Sequence, residues 1–433
     1  MRGLALLLVL LLTGPALGIS VPDVPALRDA HWGLLVVDLQ DGRVLYERDA
    51  DRRFVPASVQ KLYTAAAVLR AFGAEHRFVT EVGVRSRLVR SLHIKDVVLR
   101  GGGDPSLSSR DLVALALDFK GRVPWLAVDP PVGRLLVDAT RFDGPPLGSG
   151  WAWDDETADY SAQISALSVN GNTVLARVTP ALTEGVPPEV TLEPAGILKL
   201  ENRAVTGDED TVTLIRRRAR NVLRVEGTVI EPLEERVTVE NPAGYAGTIF
   251  ARALKAPGVL LAPAPRDTRW VARHESPPTS ALVRHMLKES DNLYAEVLAR
   301  GLPNGLEPPP DSRMVDGSGL SRYNLVKPRD TVALLIAMQG DAAFVDALPI
   351  SGVDGTLEGR MLSIPGRIRA KTGSMSGVSS LAGYACDRDG RPRWAFAFSA
   401  NNFVGSSRPV KAAEDALMEA LVRSLDGPAP AGN

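Results

Sequence analysis

From about residue 76 to 260 the sequence breaks into short β-branched and apolar runs, such as 78–84, 96–99 and 134–137, punctuated by Gly and Pro. On either side of that stretch the texture changes. Residues 32–39 and 43–46 read as two strands joined through Gln40-Asp41-Gly42, a hairpin signal. Residues 58–72 read as a helix, with Leu62, Ala65, Ala66 and Leu69 recurring at three- and four-residue steps before Gly73 ends the pattern. Beyond residue 260, helices are expected at 279–302, 329–338 and 409–425. Strands are expected at 367–372, 378–386 and 393–399, the last two joined across Asp387-Arg388-Asp389-Gly390. Strands near both ends of one chain, with helices between and after them, suggest one α/β domain split by a long, mostly-β insertion that carries one helix, at 109–119.

Other classes fall away on composition. Lys plus Arg total 50 and Asp plus Glu total 51, so no global field attracts nucleic acid or an anionic membrane. Cys386 is the single cysteine, which excludes an internal disulfide and a cysteine-rich zinc site; its apolar surroundings mark a buried strand residue. The five histidines, His31, His76, His93, His274 and His285, show neither HxxxH nor HExxH spacing, so no metal and no cofactor is expected. Residues 1–18, with Arg2, an apolar stretch at 4–12 and Pro15-Ala16-Leu17-Gly18, have the form of a secretory signal. Export outside the cytoplasmic membrane, to a periplasm or an extracytoplasmic wall space, is the expectation. It leaves room for peripheral membrane contact and favours hydrolytic or transfer chemistry.

Three short motifs carry that chemistry. Ser58-Val59-Gln60-Lys61 puts a hydroxyl and an amine three residues apart at a helix start, on one face and about 5–6 Å apart at Cβ. A lysine whose pKa is lowered by burial or by neighbouring positive charge can act as the base that a serine nucleophile needs. Ser290-Asp291-Asn292 adds a second hydroxyl for proton relay and an amide that can bind a peptide group. Lys371-Thr372-Gly373, on an expected strand, adds a cation and a hydroxyl suited to a carboxylate, with Gly allowing close approach to the backbone. Each motif alone is ordinary: a solvated Ser/Lys pair, one of three SxN copies, a strand-edge Lys. Only nine of the 50 basic residues are lysine, so two at such positions carry weight.

In the order SxxK, SDN, KTG the set is that of penicillin-binding proteins and class A β-lactamases. The chain resembles the D-alanyl-D-alanine carboxypeptidases of the low-molecular-mass penicillin-binding-protein group, the carboxypeptidase/endopeptidase family with a large insertion in its catalytic domain. Residues 101–107 (GGGDPSL), 150–155 (GWAWDD), 165–168 (SALS) and 316–321 (DGSGLS) look like segments of that family, and 228 residues separate Lys61 from Ser290. The resemblance implies a DD-peptidase/β-lactamase-like transpeptidase domain, α/β (α+β), with an antiparallel sheet flanked by helices and mostly-β inserted domains. By the same resemblance 19–77 and 262–425 form the catalytic domain, 78–98 and 166–261 an inserted domain, 99–165 a second one nested in it, and 426–433 a frayed tail.

The resemblance makes Ser58 the acylated nucleophile, Lys61 its base, Ser290 a proton shuttle and Asn292 a substrate-amide ligand. Lys371 and Thr372 would anchor the substrate's terminal carboxylate beside Gly373, and the N–H groups of Ser58 and Ser374 would form the oxyanion hole. Asp155, with Asp154 as second choice, would meet the amino end of a diamino-acid side chain. Peptidoglycan stem peptides are then the substrates, and β-lactams the covalent inhibitors. A β-lactamase would need a deacylating glutamate, which class A enzymes carry in an ExxLN loop not found here; a β-lactam sensor would need a transmembrane link, and none is visible.

Overall fold

A computed structural model describes residues 25–28, 30–89, 92–123 and 132–427. The expected secretory signal at 1–18 and the end of the expected tail, 428–433, lie outside the described residues. The chain forms two compact units. One comprises the described part of Met1–Phe54 with Lys327–Gln339 and Pro349–Asn433; the other comprises Val55–Val326 and Gly340–Leu348.

The first unit is built on a five-stranded antiparallel sheet in the order Ile368–Met375, Val378–Cys386, Pro392–Asn401, His31–Asp38, Val44–Arg48. Chain ends meet in this sheet, since His31 lies opposite Asn401 and Asp38 opposite Trp394. The strand Val378–Cys386 is buried at every position, which a strand covered on both faces requires. Side chains alternate between faces. Ser379 therefore turns to the helix Arg408–Leu425, where its hydroxyl donates to Glu414 (2.6 Å), and Tyr384 turns the opposite way to donate to the carbonyl of Leu335 (2.7 Å) in the helix Pro328–Met338. Leu381, Phe396, Phe398, Leu417 and Leu421 fill the layer under the first of these helices.

The second unit opens with a 3-10 turn, Ala57–Gln60, that runs into the helix Lys61–Phe72. A mixed five-stranded sheet follows, in the order Val259–Leu261, Val132–Asp138, Leu92–Arg100, Val79–Val89, Arg269–Glu275, with two further three-stranded sheets. The mostly-β reading of the insertion missed one element. Besides Ser109–Arg122, a second helix runs over Pro242–Leu254, capped by the Asn241 side chain and with Pro at its first turn. Gly244, Thr248 and Arg252 give it a narrow outward face, but Pro242, Gly244 and Gly247 in its first turns read as loop punctuation. Gly247 lets it sit close to the sheet: a Cβ there would stand 2.8 Å from the side chains of Val137 and Val259.

The expected helix 279–302 is two helices, Thr279–Lys288 and Asn292–Gly301. Glu289 closes the first, Ser290 takes a left-handed conformation (φ 60°), and the Asp291 side chain caps the second by accepting from the Tyr294 N–H (2.9 Å). Apolar residues keep a helical spacing across the break, so periodicity alone hides it. No helix among the described residues is long and apolar enough to cross a membrane.

Candidate active site

Lys61 is wholly buried at the start of its helix, and its ammonium has three protons to place. It donates to the Ser58 hydroxyl (2.8 Å), the Asn292 amide oxygen (2.6 Å) and the Ser318 carbonyl (2.9 Å). Burial is the main influence on its pKa and brings it down to about 8, against the opposing pull of Asp291, Asp316 and Glu296. At neutral pH about a tenth of such lysines are neutral and able to take a proton. Ser58 is half-buried one turn away. Just before it, Ala57 holds φ at 46°, a strained conformation for a residue with a Cβ.

Ser318 belongs to the turn Asp316-Gly317-Ser318-Gly319, which is held from all sides. Glu296 accepts from the N–H groups of Gly317 (3.0 Å) and Ser318 (2.8 Å). The Gln60 amide donates to the Asp316 carbonyl (3.1 Å) and the Thr64 hydroxyl to that of Gly317 (2.6 Å). Asp316 accepts from the N–H groups of Gly319 (2.9 Å) and Ser321 (2.7 Å), from the Asn324 amide (2.7 Å) and from the Trp151 indole (3.0 Å). Gly319 is required here: its φ is 84°, and a Cβ would stand 1.9 Å from the Ala57 carbonyl oxygen. Glu296 is fully buried next to Asp316, and burial raises its pKa to about 7.

Ser290 and Asp291 lie in the break between the two helices, and Asn292 opens the second. Ser290 and Asn292 line a cleft of about 900 Å³. The Asn292 amide nitrogen donates to the Tyr160 carbonyl (2.8 Å), so one side chain ties the Lys61 ammonium to the segment after Trp151. The Tyr160 hydroxyl donates to Asp155 (2.7 Å); burial and that carboxylate push the phenol up to about 12. Tyr160 and Asp159 line the cleft, and Asp155 stands behind Tyr160. Trp151 is an anchor for Asp316, whereas Trp153 is 71% exposed. Asp291 pairs with His285 (3.4 Å) and holds the imidazole pKa above its usual value.

The third motif lies in the other unit, on the strand Ile368–Met375. Lys371 is wholly buried and donates to the Thr372 carbonyl (2.8 Å); the Thr372 hydroxyl donates to Thr356 (2.9 Å). Gly373 is buried and Ser374 exposed. Ser58, Lys61 and Asn292 are thus joined directly, and Asp155 reaches Asn292 only through Tyr160. Sequence reasoning gave no role to Ser318, Glu296 or Asp316. Glu296 had a signal, since it stands four residues after Asn292 on the same helix face.

The fold is that of a penicillin-binding protein. The crystal structure of penicillin-binding protein 4 from Haemophilus influenzae superposes with a TM-score of 0.80 at 24% identity, over 92% of this chain and 98% of that one. The D-Ala-D-Ala carboxypeptidase 3 (S13) family model matches residues 16–312 and 309–424, and the chain belongs to that family of serine peptidases. A D-alanyl-D-alanine carboxypeptidase of Actinomadura sp. (strain R39) is 36% identical over 468 residues, 95% of this chain and 85% of the relative. The D-alanyl-D-alanine carboxypeptidase DacB of Haemophilus influenzae is 27% identical, over 83% of each chain.

Proposed function

We infer that the protein removes the terminal D-alanine from peptidoglycan stem peptides through an acyl-enzyme on Ser58, and that the same chemistry extends to D,D-cross-links. The observation that carries this is the 2.8 Å bond between the Ser58 hydroxyl and a buried lysine whose pKa is brought down to about 8. Neutral Lys61 takes the Ser58 proton as the oxygen attacks the penultimate D-alanine carbonyl. The N–H groups of Ser58 and Ser374 receive the developing oxyanion. Collapse breaks the peptide bond, and the leaving amine takes the proton from Lys61 by way of Ser290. Water then adds its hydroxyl to the acyl carbon and its remaining proton returns to the Ser58 oxygen.

Asn292 binds the substrate's amide, while Lys371 with Thr372 holds the terminal carboxylate beside Gly373. Asp155, set behind Tyr160, accepts the amino end of a diamino-acid side chain. A β-lactam carries a strained amide in place of the D-alanyl bond and is expected to acylate Ser58; one solved structure of the Haemophilus protein is described as complexed with a β-lactam. Residues 1–18 support export to the extracytoplasmic space, where the wall substrate lies.

Intact-mass analysis after benzylpenicillin treatment tests the assignment. One adduct is expected, on the peptide carrying Ser58, and none in Ser58→Ala; an adduct on a different serine overturns it.

A further inference from the structure

The cleft that starts at Ser290 and Asn292 continues well away from the reacting hydroxyl. Pockets of about 300–1,000 Å³ hold whole drug-sized ligands, so at about 900 Å³ it has room for more than a terminal dipeptide. Its floor is the sheet of Thr173–Thr179 paired with Leu233–Thr238 and Glu189–Glu193. Thr173, Leu175 and Arg177 face the cleft, while Val174, Ala176 and Val178 pack wholly inside on the opposite face. Leu175 stands in register with Arg236 on one side and Glu193 on the other.

The two arginines of this floor differ in their partners. Arg177 donates to Glu193 (2.8 Å) and Glu234 (2.7 Å), so its charge is matched. Arg236 is exposed, donates to the Thr173 hydroxyl at 3.3 Å, and forms no ion pair with a carboxylate among the described residues. A guanidinium left in that state presents a planar fork suited to a carboxylate. Glu289 and Asp291 flank Ser290 in the chain and disfavour an anion at that end, whereas Asp159, next to the Ala158–Val237 bridge, and Glu193 line the cleft beside the strands that carry Arg236 and Leu175.

The wall beside this floor is built in advance. Asn170, Gly171 and Asn172 all hold positive φ (51°, 66° and 55°), and a non-glycine residue in that region costs about 1–3 kcal/mol. Asn170 is fixed by its amide donating to the Ser109 hydroxyl (2.6 Å) and to Tyr245 (2.9 Å), and by accepting from the Ser109 N–H (2.8 Å).

We propose that this cleft seats the upstream part of the stem peptide and that Arg236 recognises its free carboxylate, that of the γ-linked acidic residue two positions before the acyl-donating D-alanine. An extended chain advances about 3.3–3.6 Å per residue, which puts that group roughly 7 Å or more from the acyl carbon. The inference rests on the carboxypeptidase reading above.

The test compares wild type, Arg236→Ala and Arg236→Gln on a pentapeptide with the free carboxylate, on its amidated counterpart, and in benzylpenicillin acylation. Wild type should favour the carboxylate peptide about tenfold in kcat/KM. Both variants should lose that preference, falling about tenfold on the carboxylate peptide while cleavage of the amide and penicillin acylation stay unchanged. Equal cleavage of the two peptides by wild type, or equal losses on both in the variants, overturns the subsite alone. No cleavage of either peptide by a folded wild-type protein overturns the carboxypeptidase reading and the subsite with it.

Discussion

Two lysines are wholly buried, one in each unit, and they stand in different local structures. Lys61 stands among polar groups: a hydroxyl, an amide and a carbonyl take its three protons, and three carboxylates act on it from further off. Lys371 stands on a strand within a regular antiparallel ladder, opposite Ala382, and reaches back to the carbonyl of the next residue. One environment sets an amine of lowered pKa beside the Ser58 hydroxyl. The other sets an amine on a strand within a sheet. Burial is common to both lysines; the Ser58 hydroxyl 2.8 Å from Lys61 is what supports reading that lysine as the base.

The comparison breaks most visibly if Lys61 is replaced. Lys61→Met should slow benzylpenicillin acylation by at least about 100-fold, in line with loss of a general base. It should also change the stability profile. Folding lowers this lysine's pKa from 10.5 to about 8, so between those values the unfolded chain binds more protons than the native one. Wild-type stability should rise relative to the variant across that window, by about 3 kcal/mol in all, as urea unfolding at a series of pH values would show. A flat difference would mean that Lys61 titrates normally. Lys371→Ala should lose a charge-assisted hydrogen bond to substrate, about 1.5–3 kcal/mol, or roughly 10–150-fold in kcat/KM for the pentapeptide. Unchanged kinetics would make that strand lysine structural only.

Glu296→Gln sharpens the contrast at the turn that feeds Lys61. Its pKa is raised from 4.5 to about 7, so the native state binds the extra proton and wild-type stability should fall as pH climbs through that range. The Gln variant should lack this fall, and thermal unfolding at pH 5 and pH 8 would read the difference. The smallest effect is expected from Asp155→Asn: cleavage of peptides with a free side-chain amine should slow a few-fold, with β-lactam acylation nearly unchanged. Equal loss on both substrates would point to displacement of Tyr160, which Asp155 holds.

Much of this was legible beforehand, for reasons visible in single elements. The terminal strands read as runs of β-branched and apolar residues and the helix after Ser58 as apolar residues at three- and four-residue steps, and local turn residues mark their ends. Pro242–Leu254 was not legible, since Pro242, Gly244 and Gly247 read as loop punctuation although Gly244, Thr248 and Arg252 repeat at four-residue steps. Nor was the break at Ser290, where a left-handed serine and an aspartate cap interrupt an otherwise unbroken apolar spacing. The Glu296 contacts join residues 21 and 22 positions apart, the Trp151 contact to Asp316 joins residues 165 apart, and the Gln60 contact joins residues 256 apart. No local pattern encodes such pairings.

The first unit's sheet sets a timetable for the chain. Its strand His31–Asp38 finds its inner neighbour only in Pro392–Asn401, and the Trp394 indole meets Asp38 across 356 positions. A ribosome or export channel delivering residues in order releases the first of these strands long before its partner exists. Loop closure over such a distance precedes any return in contacts, which makes this sheet the slow, late step of folding. The second unit, whose main span ends at Val326, has nearly all of its residues by then and can assemble earlier. Nascent chains cut before residue 392 should accordingly protect amides in the second unit against hydrogen exchange while leaving those of His31–Asp38 open.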